Sequence, residues 1–458
     1  MSYQKYSTYK NSGIELPERL PIHWGLSKLR YIGSFGKGLT ITKENLQDEG
    51  VPCVNYGEVH SKFGFQIDTK LHALKCVSEE FLKNNPDCLL TKGDIIFADT
   101  SEDLDGSGNF TQLMNDDIVF AGYHTIVFHP FNGIDKRYLA YLLDSQDFRT
   151  QIKKLVKGVK VFSITQSILR SASVWLPSLE EQFRIASFLD QEIDKIDRLI
   201  DKQERLISLL KEKKLSVICR AVTKGLDPNA KLKKSGFEWL GDIPAHWEIK
   251  PLRYLGTCQN GINIGAEYFG NGYPFVSYGD VYNNNPLPVQ VNGLVESSEK
   301  DRDVYSVSYG DVLFTRTSET IEEIGFSSTA LADIPDATFA GFLIRFRPYA
   351  GYLYPEYSMR YFSCVLLRAF FIKEMNLVTR ASLSQELLKK LPVTVPPLAE
   401  QQEIAIFLRK QIGLFDSLIN KSKEAIVLLK ERRSSLISSA VTGKIDVRNC
   451  QPDAKDVA

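Results

Sequence analysis

The chain has 458 residues, room for roughly two to four domains, and at 43% apolar and 24% charged it has the composition of a soluble globular protein. Its net charge is zero, which excludes the global basicity common among nucleic-acid binders, so any positive surface must be local. Seven scattered cysteines (Cys53, Cys76, Cys88, Cys219, Cys258, Cys364, Cys450) show no CxxC or histidine-rich spacing, giving neither a disulfide framework nor a metal site and pointing to reduced thiols in a cytoplasm.

In chain order, the start MSYQKYSTYK is polar and lacks the apolar core of a signal peptide. The segment SGIELPERLPIHWGLSKLRYIG at 12–33 returns as SGFEWLGDIPAHWEIKPLRYLG at 235–256, identical at ten of 22 positions. VPCVNYGEV at 51 returns as YPFVSYGDV at 273, GDIIFADTSE at 93 as GDVLFTRTSE at 310, and FAGYHTIVFHP at 120 as FAGFLIRFRP at 339. Short apolar runs such as Asp94 to Phe97 and Ile118 to Phe120, set between Gly, Asn and Asp clusters, predict strands. A helical stretch follows in each copy, from 138 and from 357. Next come a polar loop (KGVKVFSITQ, NLVTRASLSQ) and a short strand ending at Pro177 or Pro396/Pro397. The run CVLLRAFFI is short and broken by Arg368, so no transmembrane helix is expected.

Those prolines open the most ordered repeat. Residues 179–222 and 398–441 align without a gap at an offset of 219. One heptad seam holds Ala186, Ile193, Ile200, Ile207 and Lys214, matched by Ala405, Ile412, Ile419, Ile426 and Arg433. The other holds Leu189, Ile196, Gln203, Leu210 and Val217, matched by Leu408, Phe415, Ser422, Leu429 and Leu436. Eight of ten seam positions are apolar in each copy, which is the pattern of a coiled coil with each helix roughly 65 Å long. The chain thus duplicates a unit of about 220 residues, an α/β part followed by one long helix. A pseudo-twofold arrangement would pair the helices antiparallel.

Catalytic signatures do not emerge. The nearest approach to a phosphate loop, Gly33 to Gly38, has the wrong spacing, and HExxH and GxSxG do not occur. Asp242 with Glu248 and Lys250 faintly resembles a nuclease acid pattern, but the sister positions are Arg19, Gly25 and Ser27. Two halves sharing a framework but no acid, base or nucleophile set read as a binder. What differs between them is polar and lies in the loops. Lys37, Thr40, Thr42 and Lys43 stand against Asn260, Asn263 and Glu267; Asp99, Thr100, Ser101 and Glu102 against Arg316, Thr317, Ser318 and Glu319. Lys157, Lys160 and Ser163 stand against Thr379, Arg380 and Ser382. Such side chains read base edges and phosphates, so one framework with two loop sets fits the reading of two sequences. His23/Trp24 and His246/Trp247 read as framework packing, and Glu180, Glu181 and Glu400 as acids serving a first helical turn.

LPSLEEQFRIASFLDQEIDKIDRLI and VPPLAEQQEIAIFLRKQIGLFDSLI, with IPAHWEIKPLRYLG and GDVLFTRTSE, resemble the specificity subunits of type I restriction–modification systems, over nearly the whole chain. The resemblance implies an α/β fold with two pseudo-twofold-related target recognition domains and a pair of long antiparallel coiled-coil helices that spaces them. The expected divisions are 1–178 and 246–397 for the recognition domains, 179–224 and 398–445 for the helices, 225–245 for a linker and 446–458 for a polar tail. It implies a non-catalytic subunit that reads a bipartite, asymmetric site on double-stranded DNA. Two methyltransferase subunits would be its partners, joined by restriction subunits. S-adenosylmethionine, ATP and magnesium would belong to those partners, with no cofactor on this chain and no membrane contact. An acid at Asp99, where the second copy has Arg316, suggests base-edge reading or a folding role rather than phosphate contact.

Overall fold

In the computed structural model, residues 3–158, 160–318, 324–374 and 381–450 are described. They form two compact units. The first is the chain up to Gln203 together with Glu424 onward; the second is Glu204 to Lys423. The division falls inside both long helices, Leu179–Lys224 and Leu398–Val441, so each unit takes one segment from each helix. Neither boundary coincides with the junctions between globular part and helix expected from the repeats.

The first unit is built on a five-stranded sheet in the order Gly33–Lys37, Thr125–Pro130, Ile95–Ala98, Phe110–Leu113, Phe65–Ile67. All its neighbours are antiparallel except the last pair. A four-stranded sheet, Cys76–Val77, Val51–Val54, Val119–Ala121, Leu89–Leu90, accompanies it. Ile95–Ala98 is buried along its whole length, as its unbroken apolar run requires. The second unit repeats this with four strands (Gly256–Asn260, Leu343–Pro348, Val312–Thr315, Ser327–Thr329) and three (Gly293–Val295, Phe269–Val276, Thr338–Phe339).

The helical stretch from 138 is two helices, Lys136–Asp144 and Gln146–Leu155. The chain breaks at Ser145, whose hydroxyl accepts from the Phe148 amide and caps the second helix. The stretch from 357 breaks likewise into Pro355–Phe362 and Leu367–Glu374. The strands ending at proline pair antiparallel with the Trp-bearing segments, Ser173–Leu176 with Gly25–Lys28 and Pro392–Val395 with Glu248–Pro251. Residues 232–244, expected as linker, fold as a hairpin of Leu232–Lys234 on Asp242–Pro244. The first unit carries the same hairpin, Tyr9–Asn11 on Arg19–Pro21. Lys233 donates to the Trp247 carbonyl just as Lys10 does to that of Trp24.

Within each unit the two helix segments run antiparallel. In the first, Arg184 donates to the Arg448 carbonyl while Arg433 bonds Asp197, so one number falls as the other rises. In the second, Gly225 lies beside Glu400 and Lys214 pairs with Asp416 at 2.6 Å. The buried seam residues are Ala186, Leu189, Ile193, Ile196, Ile200 and Leu436 in one unit and Ala405, Leu408, Ile419 and Ser422 in the other. Ile207, Leu210, Ile412, Phe415, Ile426 and Leu429 are half-buried, as in a two-helix seam open to water on its flanks. Among the described residues, no helix is long and apolar enough to cross a membrane.

Candidate nucleic-acid interface

The last carbonyls of a helix need donors that the helix cannot supply. In the first unit the buried Tyr138 hydroxyl and Trp175 indole both donate to the Val441 carbonyl near the end of the second long helix. In the second unit the Tyr357 and Thr394 hydroxyls donate to Val222 near the end of the first. Burial pushes both tyrosines well above the ordinary phenol range, which keeps them as donors. In each unit a helix end is thereby tied to a short helix and to the two-stranded sheet that carries the Trp-bearing segment.

The Glu-Gln pairs beginning each long helix make a second tie. Glu181, 4% exposed, accepts from Tyr6 at 2.6 Å, from the Trp24 indole at 3.2 Å and contacts His23 at 2.9 Å. Glu400 holds His246 at 2.8 Å and Trp247 at 3.0 Å. These acids are therefore clamps on the Trp-bearing segments, a larger role than complementing the helix dipole. Gln182 and Gln401 bond the Asp135 and Tyr354 amides, fixing where the paired short helices begin. The acids of the two Gly-Asp motifs also serve the framework: Asp94 accepts from Thr91 and meets His129 at 2.8 Å, and Asp311 holds Arg347 at 2.6 Å. Burial and the neighbouring Arg347 lower the Arg345 guanidinium to about 10. Glu248 and Lys250, of the faint acid pattern, pair with each other at 2.7 Å on an edge strand.

On this frame the first unit gathers loops that are far apart in sequence. Past Ile95–Ala98 the chain turns at Asp99, and Thr100–Ser101 pairs antiparallel with Phe162–Ser163. The Ile164 amide donates to the Asp99 carbonyl at 2.7 Å, and Lys157 forms a bridge to Ser163. Gln166 donates to Gly36, which brings in the end of Gly33–Lys37. Gly38 lies so close to Gly122 that an added Cβ would sit 1.9 Å from its carbonyl oxygen. The result is an open cleft of about 660 Å³ lined by Lys37, Thr40, Asp99, Ser163 and, unforeseen, Tyr123, His124 and Gln166. Thr42, Lys43, Lys157 and Lys160 are exposed but outside its lining. Thr100 is half-buried and also outside the lining. Ser101 needs correcting as a base reader: it is fully buried, bonded to the Asp103 carbonyl at 2.6 Å and to His60 at 3.2 Å, and shapes the turn.

The second unit repeats the backbone and changes the side chains. Thr317–Ser318 pairs with Ala381–Ser382, and the Leu383 amide donates to the Arg316 carbonyl at 2.7 Å. Asn260 ends the strand opposite Ile344, and the Gln385 amide bridges Cys258 and Asn260 as Gln166 reaches Gly36. Asn263 is exposed, with its side-chain oxygen against Gly341, where a Cβ would lie 1.9 Å away. Arg316 is half-exposed at the position of Asp99. Arg380 lies outside the described residues, and only the backbone of Ser318 is described.

The position sequence reading missed most plainly adjoins these two. The Asp99 amide donates to the His124 carbonyl at 3.2 Å, and the Arg316 amide to the Phe342 carbonyl at 2.9 Å. His124 sits at φ 55°, with its Nδ1 3.3 Å from both Asp99 carboxylate oxygens. FAGYHT against FAGFL carries one extra residue, Tyr123, and the left-handed turn at His124 absorbs it. That length difference was the available signal.

Comparison with known proteins agrees with this duplicated frame. The type I restriction modification DNA specificity domain matches residues 21–208 and again 244–427. The chain is 23% identical over 440 residues to the type I restriction enzyme EcoKI specificity subunit of Escherichia coli K12, covering 93% of this chain and 90% of that one. It is 23% identical over 467 residues to the putative MjaX specificity subunit of Methanocaldococcus jannaschii, covering 98% and 99%. Among solved structures, a chain from work on complex assembly and conformational transition of the type I R-M system superposes with a TM-score of 0.69 at 15% identity, covering 94% of this chain and 100% of that one. The HsdS subunit from Thermoanaerobacter tengcongensis superposes at 0.53 with 16% identity and the same coverage. The chain belongs to the type I restriction–modification DNA specificity family.

Proposed function

We propose that this chain reads a bipartite, asymmetric site on double-stranded DNA, one half-site through each unit, and directs methyltransferase and restriction subunits to it. The observation that carries the proposal is the matched backbone under mismatched chemistry. Equivalent hydrogen bonds hold Asp99 and Arg316 at equivalent turns, yet one is an acid and the other a base. Reading two sequences requires different side chains at a shared turn, and an acid in one unit with a base in the other supplies them. The small bonded turns and glycine contacts hold those side chains at the ends of interior strands, as recognition requires.

The long helices serve as spacer and dock. Their length sets the gap between half-sites, and removing one heptad from each shortens that gap while leaving both half-site sequences intact. Altered bases with an unchanged gap would refute this. Exposed apolar side chains along them, Leu199, Leu206 and Leu209 on the first and Leu414, Leu418 and Leu428 on the second, suit two methyltransferase subunits. S-adenosylmethionine, ATP and magnesium belong to the partners, and the cytoplasm is where all would meet. Incubating the chain and its methyltransferase with randomised duplex DNA, then sequencing the shifted band, should enrich a gapped motif. Enrichment of none would overturn DNA reading in favour of an adaptor that binds only proteins.

A further inference from the structure

We propose that His124 and Phe342 are specificity-determining residues: His124 accepts a hydrogen bond from the exocyclic amino group of one adenine or cytosine in the first unit's half-site, and Phe342 packs on the methyl of one thymine in the second's. This rests on the DNA-reading function proposed above and assigns chemistry within it.

Both residues occupy the same point of the frame, immediately before the strands Thr125–Pro130 and Leu343–Pro348. Both carbonyls accept the amide of the rim residue, Asp99 or Arg316. The His124 side chain is 63% exposed and Phe342, taken as a whole residue, is 63% exposed, although the backbone behind them is fixed. A held backbone presenting an exposed side chain beside the divergent rim residue is the geometry of a reader.

The two side chains differ in kind. A carboxylate only accepts, so the Nδ1 beside Asp99 is the nitrogen that carries a proton, and Nε2, when unprotonated, is the one that accepts. In the major groove the donors an acceptor can meet are the amino groups of adenine and cytosine. Asp99 is then a positioning residue for His124, which explains an acid where the second unit has Arg316. Phe342 has no hydrogen-bonding group, and the apolar feature the major groove offers it is the thymine methyl. Arg316 alongside supplies the polar contact in that unit.

The test uses the full chain assembled with its methyltransferase and S-adenosylmethionine on a randomised duplex library, with methylated sites sequenced. His124→Gly keeps the left-handed turn without strain and removes the ring. It should relax one base pair of the first half-site by roughly tenfold and leave the second half-site unchanged. Phe342→Ala should relax one T·A pair of the second half-site by about fivefold. Replacing that thymine by uracil should weaken the wild type by a similar factor and leave Phe342→Ala indifferent. A wild-type complex that enriches no gapped motif would sink the underlying function. A motif enriched by wild type and kept unchanged by a variant, or weakened at every position alike, overturns the assignment for that residue alone.

Discussion

In the first unit one buried carboxylate, Glu181, serves Tyr6, His23 and Trp24; in the second, Glu400 serves His246 and Trp247, with Asn229 standing at the sequence position of Tyr6. The clamp is the same in kind and looser by one partner. At the rim the backbone bonds match, and Asp99 with His124 in the first unit corresponds to Arg316 with Phe342 in the second. Buried bonds are shared because an unmet buried donor costs folding energy in either copy. Exposed side chains are free to differ because changing them costs the fold little.

The largest effects are expected at the clamps. Glu181→Ala strands three partners, and a loss of about 3 kcal/mol is expected in denaturant unfolding. Glu400→Ala, with two partners and a more exposed carboxylate, should cost about 2 kcal/mol. Equal losses would mean that the Tyr6 bond contributes nothing. At the rim, Arg316→Ala should lower discrimination in the second half-site by about 1–3 kcal/mol if the side chain is bidentate to guanine. Binding that falls equally for all sequences would make Arg316 a phosphate contact.

The polar seam positions offer smaller tests. Arg433 meets both Asp197 and Asp144, with its side chain 24% exposed, so Arg433→Ala should cost about 1–2 kcal/mol. Burial raises the Asp197 carboxyl above its usual range, and Arg433 opposes that rise. A carboxyl raised on folding penalises the ionised form, so its cost is present above the folded-state pKa and vanishes in acid. Removing Arg433 should therefore cost more as pH rises through that range, which unfolding curves at several pH values would show. Lys214 pairs with Asp416, which is 51% exposed, and Lys214→Ala should cost about 0.5 kcal/mol, less in high salt.

The helix repeat and the duplicated α/β frame were legible because they rest on periodicity and on strings repeated at a constant offset. The halving of each long helix between units was not, since a heptad pattern gives pairing but not where a compact body ends. The second strand of the hairpin at 232–244 lies inside the matched segments 12–33 and 235–256, but its first strand lies outside them in a polar stretch that reads as linker, where the signal was Lys233 opposite Lys10, whose partners are backbone carbonyls. Comparing the halves singled out Lys37, Thr40, Asp99 and Ser163, and these line one cleft. Ser101 fails as a reader because burial is not written in a residue type, and His124 was passed over because a one-residue insertion looks like noise in an alignment.

If each unit reads its own half-site, exchanging residues of about 30 to 175 for those of a relative with a different motif, and sequencing the sites that the assembled methyltransferase modifies, should give one new half-site with the other half-site and the gap unchanged. A change in both half-sites, or in neither, would contradict this.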